Sequence, residues 1–166
     1  MRMALIVAGS CIGVLALLAV TMTVAGSRMP ANHTASRSLQ VGKAPAEVYS
    51  VIRNFGEAGT WRPDVKKVEW IAANRFREHG SNGDVTYQID EDVPTRKIVT
   101  RIVDVDLGYS GTWEYALEGS GTGTSVTITE RGVVSNPMFR FMSKYVFGNT
   151  ATIDGYLKAL SARLRS

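Results

Sequence analysis

Two residues of this 166-residue chain, Glu130 and Tyr115, could supply acid–base chemistry in an apolar environment. Each alternates with apolar residues in a strand-like stretch, so each could point toward a protein interior. An inward carboxylate must be paired or have its pKa raised by desolvation, and a raised pKa suits a general acid. The pattern favours a simpler interpretation, in which the strand twists to the rim and Glu130 pairs with Arg101 or Arg131. Both residues are weak catalytic candidates, and an enzyme is the less favoured interpretation.

Metal-dependent and nucleophilic chemistry have little support in the sequence. His79 is next to the turn sequence Ser81-Asn82-Gly83, where a histidine is usually solvated, and His33 lies in a polar segment. The single cysteine, Cys11, lies in an apolar run, which leaves no disulfide and no cysteine-based metal site within the chain. HExxH and CxxC spacings are absent, and the glycines of residues 119–123 fit a hairpin turn better than a phosphate loop. We predict neither a metal nor a cofactor.

A larger set of residues is suited to enclosing an apolar molecule. Aromatic and branched side chains recur on the predicted inward faces of the strands and of the last helix. Ligand sites are mostly apolar and concave, but aromatic residues at the same spacings also fill ordinary cores. The candidate cavity residues are Trp61, Phe76, Tyr87, Ile89, Trp113, Tyr115, Ile128, Phe141, Tyr145 and Tyr156.

A long helix at the end of the chain is the first element needed to position these side chains. Asn136 and Pro137 predict its start, as an N-cap residue and a proline at the first helical position. Apolar residues then recur at helical spacing as far as Arg165. Gly148 and Gly155 interrupt the apolar stripe, which indicates a kink or a close backbone approach, because glycine weakens a helix interior.

Short alternating segments precede this helix. A first strand at Leu39–Val41 is followed by a helix from Ala44 to about Asn54 and by a short helix or turn that ends near Arg62. About six further strands follow, separated by turn residues, and no parallel βαβ unit appears. The order predicts an α+β fold in which a curved antiparallel sheet of about seven strands wraps the long C-terminal helix.

The first 28 residues form a separate segment. Residues 3–27 carry no charged side chain, and a transmembrane helix needs about 20 apolar residues. We predict an N-terminal transmembrane anchor at residues 1–28, with Arg2 favouring a cytoplasmic N-terminus and an extracytoplasmic domain. The alternative is a signal peptide cleaved after the small residues Ala25, Gly26 and Ser27, although its apolar region is usually only about 7–15 residues long.

The remaining chain divides into a polar linker, residues 29–37, and one domain, residues 38–166. Three of the 19 basic residues precede Ser38, whereas all 15 acidic residues follow it. The domain is therefore nearly neutral despite the basic composition of the whole chain. It has no basic stripe of the kind that binds nucleic acid, so we expect no nucleic-acid partner.

Several short motifs, taken in order, resemble one known superfamily. They are the helix start at residues 44–49, Trp61-Arg62-Pro63, Gly111-Thr112-Trp113, the strand start at residues 123–127, and Asn136-Pro137. The chain resembles the START-like helix-grip (SRPBCC) superfamily over about residues 38–164, within it the polyketide cyclase/dehydrase and lipid-transport branch. The resemblance implies a helix-grip fold, and the superfamily has no universal catalytic signature to transfer.

Three functions are consistent with these observations. The favoured one is a membrane-anchored protein that binds a hydrophobic small molecule or lipid between the sheet and the C-terminal helix. An enzyme related to polyketide cyclases and dehydratases would need at least two polar groups that converge deep in the pocket. A partner-binding module with a filled core is the third, and the presence of an internal cavity distinguishes it from the first two.

Overall fold

The computed structural model describes residues 2–81, 83–148 and 150–165, with side chains described for these residues except 2–12 and 147. Helices occupy both ends of the chain and strands occupy most of the middle. In order, the elements are α1 (Arg2–Ser27), β1 (Asn32–Val41), α2 (Pro45–Arg53), a 3-10 helix (Phe55–Thr60), β2 (Val65–Ala72), β3 (Arg75–Gly80), β4 (Gly83–Val93), β5 (Lys97–Ile102), β6 (Tyr109–Ser120), β7 (Gly123–Val134), α3 (Pro137–Met142), a π-helix (Ser143–Phe147) and α4 (Ala151–Arg163).

The strands form one antiparallel sheet in the order β1-β7-β6-β5-β4-β3-β2. Strands β2 to β7 pair with their neighbours in sequence, whereas β1 joins the sheet beside β7. Irregular pairings interrupt the β2–β3 and β4–β5 ladders, and such bulges bend and twist a sheet. The predicted α+β fold with a seven-stranded antiparallel sheet is confirmed.

Strand β1 includes most of the segment predicted to be a linker. It begins at Asn32, and its backbone pairs with β7 along its whole length. Its small polar side chains take part in this pairing: the hydroxyl of Ser36 lies 3.1 Å from that of Thr129, and the hydroxyl of Ser38 lies 2.8 Å from that of Thr127. The prediction of a linker was therefore wrong, because a backbone ladder does not require apolar side chains.

The sequence analysis predicted one long C-terminal helix, but the structure divides it into α3, the π-helix and α4. Asn136 caps α3 as expected, since its side-chain oxygen accepts hydrogen bonds from the backbone N–H groups of Met138 and Phe139. The π-helix then ends at Gly148, whose φ of 79° lies in the left-handed region that favours glycine. The chain restarts as α4 at Ala151. Gly148 thus divides the helix into two parts that can pack on different surfaces.

The core lies between the sheet, α2 and α4. Helix α4 buries one apolar face, of which Ile153 and Leu160 are fully enclosed. The opposing sheet residues Ile98, Val126 and Ile128 are fully buried as well. Burying apolar surface contributes about 25 cal/mol per Å², so this contact between α4 and the sheet is a principal source of stability.

Helix α1 packs its last turn against α3. A Cβ atom at Gly26 would lie 1.8 Å from the carbonyl oxygen of Pro137, so only glycine permits this approach. Arg140 of α3 then donates to the carbonyl oxygen of Met29, just after α1, at 3.1 Å. Within the part of the chain that the structure describes, no helix is found that is long and apolar enough to cross a membrane.

The role of α4 in the core predicts a large effect of truncating Leu160, which is fully buried. Leu160→Ala should lower the free energy of unfolding by about 2–5 kcal/mol, because it removes apolar contacts and leaves a cavity. Urea unfolding of the full chain in detergent, followed by tryptophan fluorescence, measures this loss. Lys158→Ala, on the exposed side of the same helix, should change stability by less than about 0.5 kcal/mol. Equal effects of the two substitutions would contradict the assigned orientation of α4.

Candidate functional site

The centre of the inner face is an aromatic cluster built around Tyr156 of α4. Its ring centroid lies 5.3 Å from that of Trp61, 5.8 Å from that of Trp113 and 5.5 Å from that of Tyr115. Tyr156 of α4 therefore contacts two residues of β6 and also Trp61, the residue that follows the 3-10 helix. This confirms the predicted inward orientation of Trp113 and Tyr115. We call these four residues the Tyr156 cluster.

A buried ion pair borders this cluster. The Arg62 guanidinium lies over the Tyr156 ring, with 5.2 Å between its carbon and the ring centroid. It donates to Glu78 at 2.7 Å and to Asp64 at 2.6 Å. Only 13% of the Arg62 side chain and 9% of the Glu78 side chain are exposed. An almost fully desolvated charge pair in this position is unusual for an ordinary hydrophobic core, because burial of ions is costly.

Burial and charge act in opposite directions on this pair. Burial lowers the pKa of Arg62, but the negative charges of Glu78 and Asp64 outweigh that effect and hold it above its ordinary value. Burial raises the pKa of Glu78, and the Arg62 charge only partly opposes it. The guanidinium therefore remains charged, while Glu78 takes up a proton more readily than an exposed glutamate does.

Hydrogen-bond donors of the cluster are available to a ligand. The indole Nε1 of Trp61 is buried and has no hydrogen-bond partner among the described residues. Such an unsatisfied donor costs about 1–3 kcal/mol. Burial raises the pKa of Tyr115 and of Tyr156, so both phenols keep their protons at neutral pH. An acceptor oxygen placed beside Trp61 would satisfy the unpaired donor.

The other candidate cavity residues occupy three different environments. Phe76 and Tyr87 stack on one another with 5.4 Å between centroids, beside the Tyr156 cluster on the same sheet. Ile89 and Ile128 are buried core residues. Phe141 contacts Tyr145 at 4.9 Å, but Tyr145 is 63% exposed. The prediction that Tyr145 faces the sheet from the C-terminal helix was wrong. The helix is interrupted at Gly148, which separates the segment of Tyr145 from α4.

Glu130 has a different hydrogen-bond partner from the arginines predicted. Its carboxylate is 3.3 Å from Nε2 of His33 on β1, and both side chains are 20% exposed. Arg101 instead pairs with Asp90, and Arg131 pairs with Glu114. The predicted partners were wrong because β1, placed beside β7, brings His33 next to Glu130. The preference for a paired rather than an isolated carboxylate was correct.

The predicted apolar space between α4 and the sheet is occupied by the ring contacts of the Tyr156 cluster. Two cavities of the described part of the chain lie elsewhere. One, of about 290 Å³, is between β1 and α4, and its lining includes Leu39 and Lys158. The other, of about 160 Å³, is beside α3, and its lining includes His33 and Arg140. A ligand at the Tyr156 cluster would therefore have to displace side chains.

Sequence reasoning missed Arg62 and Glu78 as site residues. Arg62 was named only as the middle residue of Trp61-Arg62-Pro63, one of the motifs on which the family resemblance rests. Glu78 alternates with Phe76 on β3, and this spacing places both side chains on one face. His79 points elsewhere and contacts Asp84 at 2.8 Å. No group of residues suited to hold a metal ion is found among the described residues.

Comparison with known proteins identifies the family of this chain and solved structures that are similar to it. Residues 32–165 match the family described as polyketide cyclase/dehydrase and lipid transport. A START superfamily protein from Mycobacterium smegmatis is 16% identical, with a TM-score of 0.67 over 80% of this chain and 97% of that one. The di-domain ARO/CYC StfQ of the steffimycin biosynthetic pathway is 14% identical, with a TM-score of 0.66 over 81% of this chain and 51% of that one.

A third similar structure is the Zhui aromatase/cyclase from a Streptomyces species. It is 13% identical, with a TM-score of 0.65 over 81% of this chain and 94% of that one. No curated protein matches this chain. At these identities the likeness to solved structures shows a shared fold.

The buried ion pair predicts a pH-dependent effect of removing Arg62. Arg62→Met should lower the free energy of unfolding by about 3–5 kcal/mol at neutral pH, because it leaves Glu78 buried and unpaired. The raised pKa of Glu78 makes the folded state bind more protons than the unfolded state above the ordinary glutamate pKa. Stability of the variant should therefore be greatest in acid and fall as the pH rises.

Urea titrations from acid to neutral pH measure how the free energy of unfolding of the variant changes with pH. Arg101→Met, which removes the exposed pair with Asp90, is the matched control and should cost no more than about 1 kcal/mol. A pH-independent loss in Arg62→Met would contradict the assigned pairing.

Proposed function

Because this chain belongs to the polyketide cyclase/dehydrase and lipid transport family of the START-like superfamily, we propose that it binds one oxygen-bearing hydrophobic molecule at the Tyr156 cluster. The observation that carries this proposal is the buried Trp61 indole N–H, which has no partner among the described residues. It lies in an otherwise apolar environment of aromatic rings. A ligand with a flat apolar body and a carbonyl or hydroxyl oxygen would complement both features.

The neighbouring charge pair supports the same ligand class. Arg62 lies over the Tyr156 ring and is held by Glu78, so its guanidinium edge is fixed beside the cluster. Each of the three guanidinium nitrogens donates to Glu78 or Asp64, so Arg62 gives the cluster a polar border and not a free cation. Two of the similar structures are named as aromatase/cyclases, one of them from the steffimycin biosynthetic pathway. An aromatic molecule that carries an oxygen is the ligand class that we propose for this chain.

An enzymatic function is the second candidate. The observation that favours it is Glu78, whose pKa is raised by burial and which lies close enough to Tyr115 to raise the pKa of that phenol. Acid–base catalysis would then use Glu78, rather than Glu130, as the proton-transferring carboxyl. Binding is the better supported function, because Glu78 already accepts from Arg62.

We further propose that α1 holds the domain at a membrane. Support comes from the charge-free sequence of residues 3–27 and from exposed apolar side chains along the helix, including Leu15, Leu17 and Val20. The hydroxyls of Thr21 and Thr23 donate back to helix carbonyl oxygens at 2.8 Å, which suits an apolar surrounding. The packing of Gly26 on Pro137 also supports retention of α1 in the mature protein.

Ligand binding is tested by titrating the full chain in detergent with a lipophilic fluorescent probe that carries a carbonyl group. We expect one saturable site, and we expect Trp61→Phe to weaken it by about three- to tenfold through loss of a hydrogen bond worth about 1 kcal/mol. Trp70→Phe is the matched control, since Trp70 is 45% exposed and lies outside the cluster. Partition of the probe into detergent is the same for both variants, so it does not contribute to the difference between their affinities. Absence of a saturable site in the folded protein would favour the partner-binding module with a filled core.

Membrane attachment is tested by washing membranes with carbonate and sequencing the N-terminus of the retained protein. We expect the chain to stay with the membrane and to keep residues 1–28, since residues 3–27 carry no charged side chain that would oppose contact with a bilayer. Release of a soluble protein beginning near Ser27 or Arg28 would instead indicate a cleaved signal peptide.

A further inference from the structure

One end of the domain gathers exposed apolar side chains beside α1. The register places the start of β6 next to the end of β7, and the end of β7 next to the start of β1, which follows α1. The loop of residues 103–108 leads into β6 at this end, and Ser135 donates to the carbonyl oxygen of Gly108. The exposed apolar side chains that α3 and the π-helix contribute at this end are Phe139 (50%), Tyr145 (63%) and Val146 (57%). We call these three residues the interfacial surface.

The interfacial surface is fixed relative to α1. Arg140 of α3 donates to three carbonyl oxygens: Val134 at 2.7 Å, Ser135 at 2.8 Å and Met29 at 3.1 Å. These bonds join α3 to the end of β7 and to the residues that follow α1. Together with the close approach of Gly26 to Pro137, they prevent α3 from turning independently of α1. The exposed apolar residues of α1 and of α3 therefore belong to one rigid arrangement.

Positive charge accompanies these apolar side chains. Arg28 follows α1, and Lys144 lies over the Tyr145 ring at 5.4 Å from its centroid. Neither forms an ion pair within the part of the chain that the structure describes. The acidic residues of this end, Asp104 and Asp106, are in the loop before β6 and outside the interfacial surface. Apolar and aromatic side chains next to unpaired cations are typical of surfaces that bind anionic lipid.

We propose that the interfacial surface lies against a lipid bilayer that contains anionic phospholipid, with α3 and the π-helix at the level of the headgroups. This proposal rests on the proposed attachment of α1 to a membrane and adds the orientation of the domain on it. Tyr145 and Lys144 suit the headgroup region, because aromatic rings and basic side chains are both favoured there. Exposure alone does not select this surface, since Ile71 at the other end of the sheet is 52% exposed. Continuity with α1 and the unpaired cations select it.

The test uses the full chain with Cys11→Ser, reconstituted in nanodiscs of zwitterionic and anionic phospholipid. A single cysteine, introduced as Phe139→Cys or as Ile71→Cys, carries an environment-sensitive fluorophore; the two native side chains are almost equally exposed. We expect blue-shifted emission and strong quenching by a spin-labelled lipid at position 139, and neither effect at position 71. Adding Lys144→Glu to the Phe139→Cys protein should reduce the quenching, because each basic residue near an anionic surface strengthens association about fivefold.

The outcomes separate this proposal from the one on which it rests. Equal, water-like emission at positions 139 and 71 in protein that resists carbonate extraction would overturn the orientation and leave the attachment of α1 intact. Protein that does not enter the nanodiscs would overturn both. Quenching at position 139 that is the same in purely zwitterionic nanodiscs, and unaffected by Lys144→Glu, would overturn the preference for anionic lipid.

Discussion

The contact between α4 and the concave face of the sheet is the interaction on which the rest of the structure depends. Helix α4 buries one apolar face in this contact, and its buried residues form one core cluster with buried residues of the sheet and of α2. Tyr156 lies at the centre of this contact and reaches side chains from the chain after the 3-10 helix and from β6. Its large ring can pack this closely because Arg62 covers one side of it.

A charged pair at such a place has consequences for both stability and function. Replacing a buried ion pair by apolar residues of similar volume is often neutral or stabilising, so the Arg62–Glu78 pair is weak evidence for a purely structural role. The unpaired Trp61 indole strengthens this argument, since a core selected only for stability would satisfy or exclude that donor. The two features together support the ligand site proposed at the Tyr156 cluster.

Local rules predicted the parts of this structure that local physics determines. Asn136 and Pro137 begin α3 because an N-cap and an N1 proline act within one turn. Alternation along β6 placed Trp113 and Tyr115 on the inner face. The part of β1 before Leu39 was missed because its small polar residues owe their extended conformation to pairing with β7, a partner far away in sequence. The same distant pairing made the partner of Glu130 unpredictable. The Arg62–Glu78 pair was missed because a charged residue is normally expected to face solvent.

The pairing of β1 with β7 also determines the order in which the chain can fold during synthesis. His33 and Glu130, which meet across these strands, are 97 residues apart in sequence. Contacts of such long range form late, because closing the intervening chain costs entropy before any contact is gained. While the ribosome makes β2 to β6, β1 has no partner, and the last turn of α1 has no α3 to pack against. The N-terminal helix is thus available to its surroundings for most of synthesis, and the domain completes itself beside it only when the last strand and helices emerge.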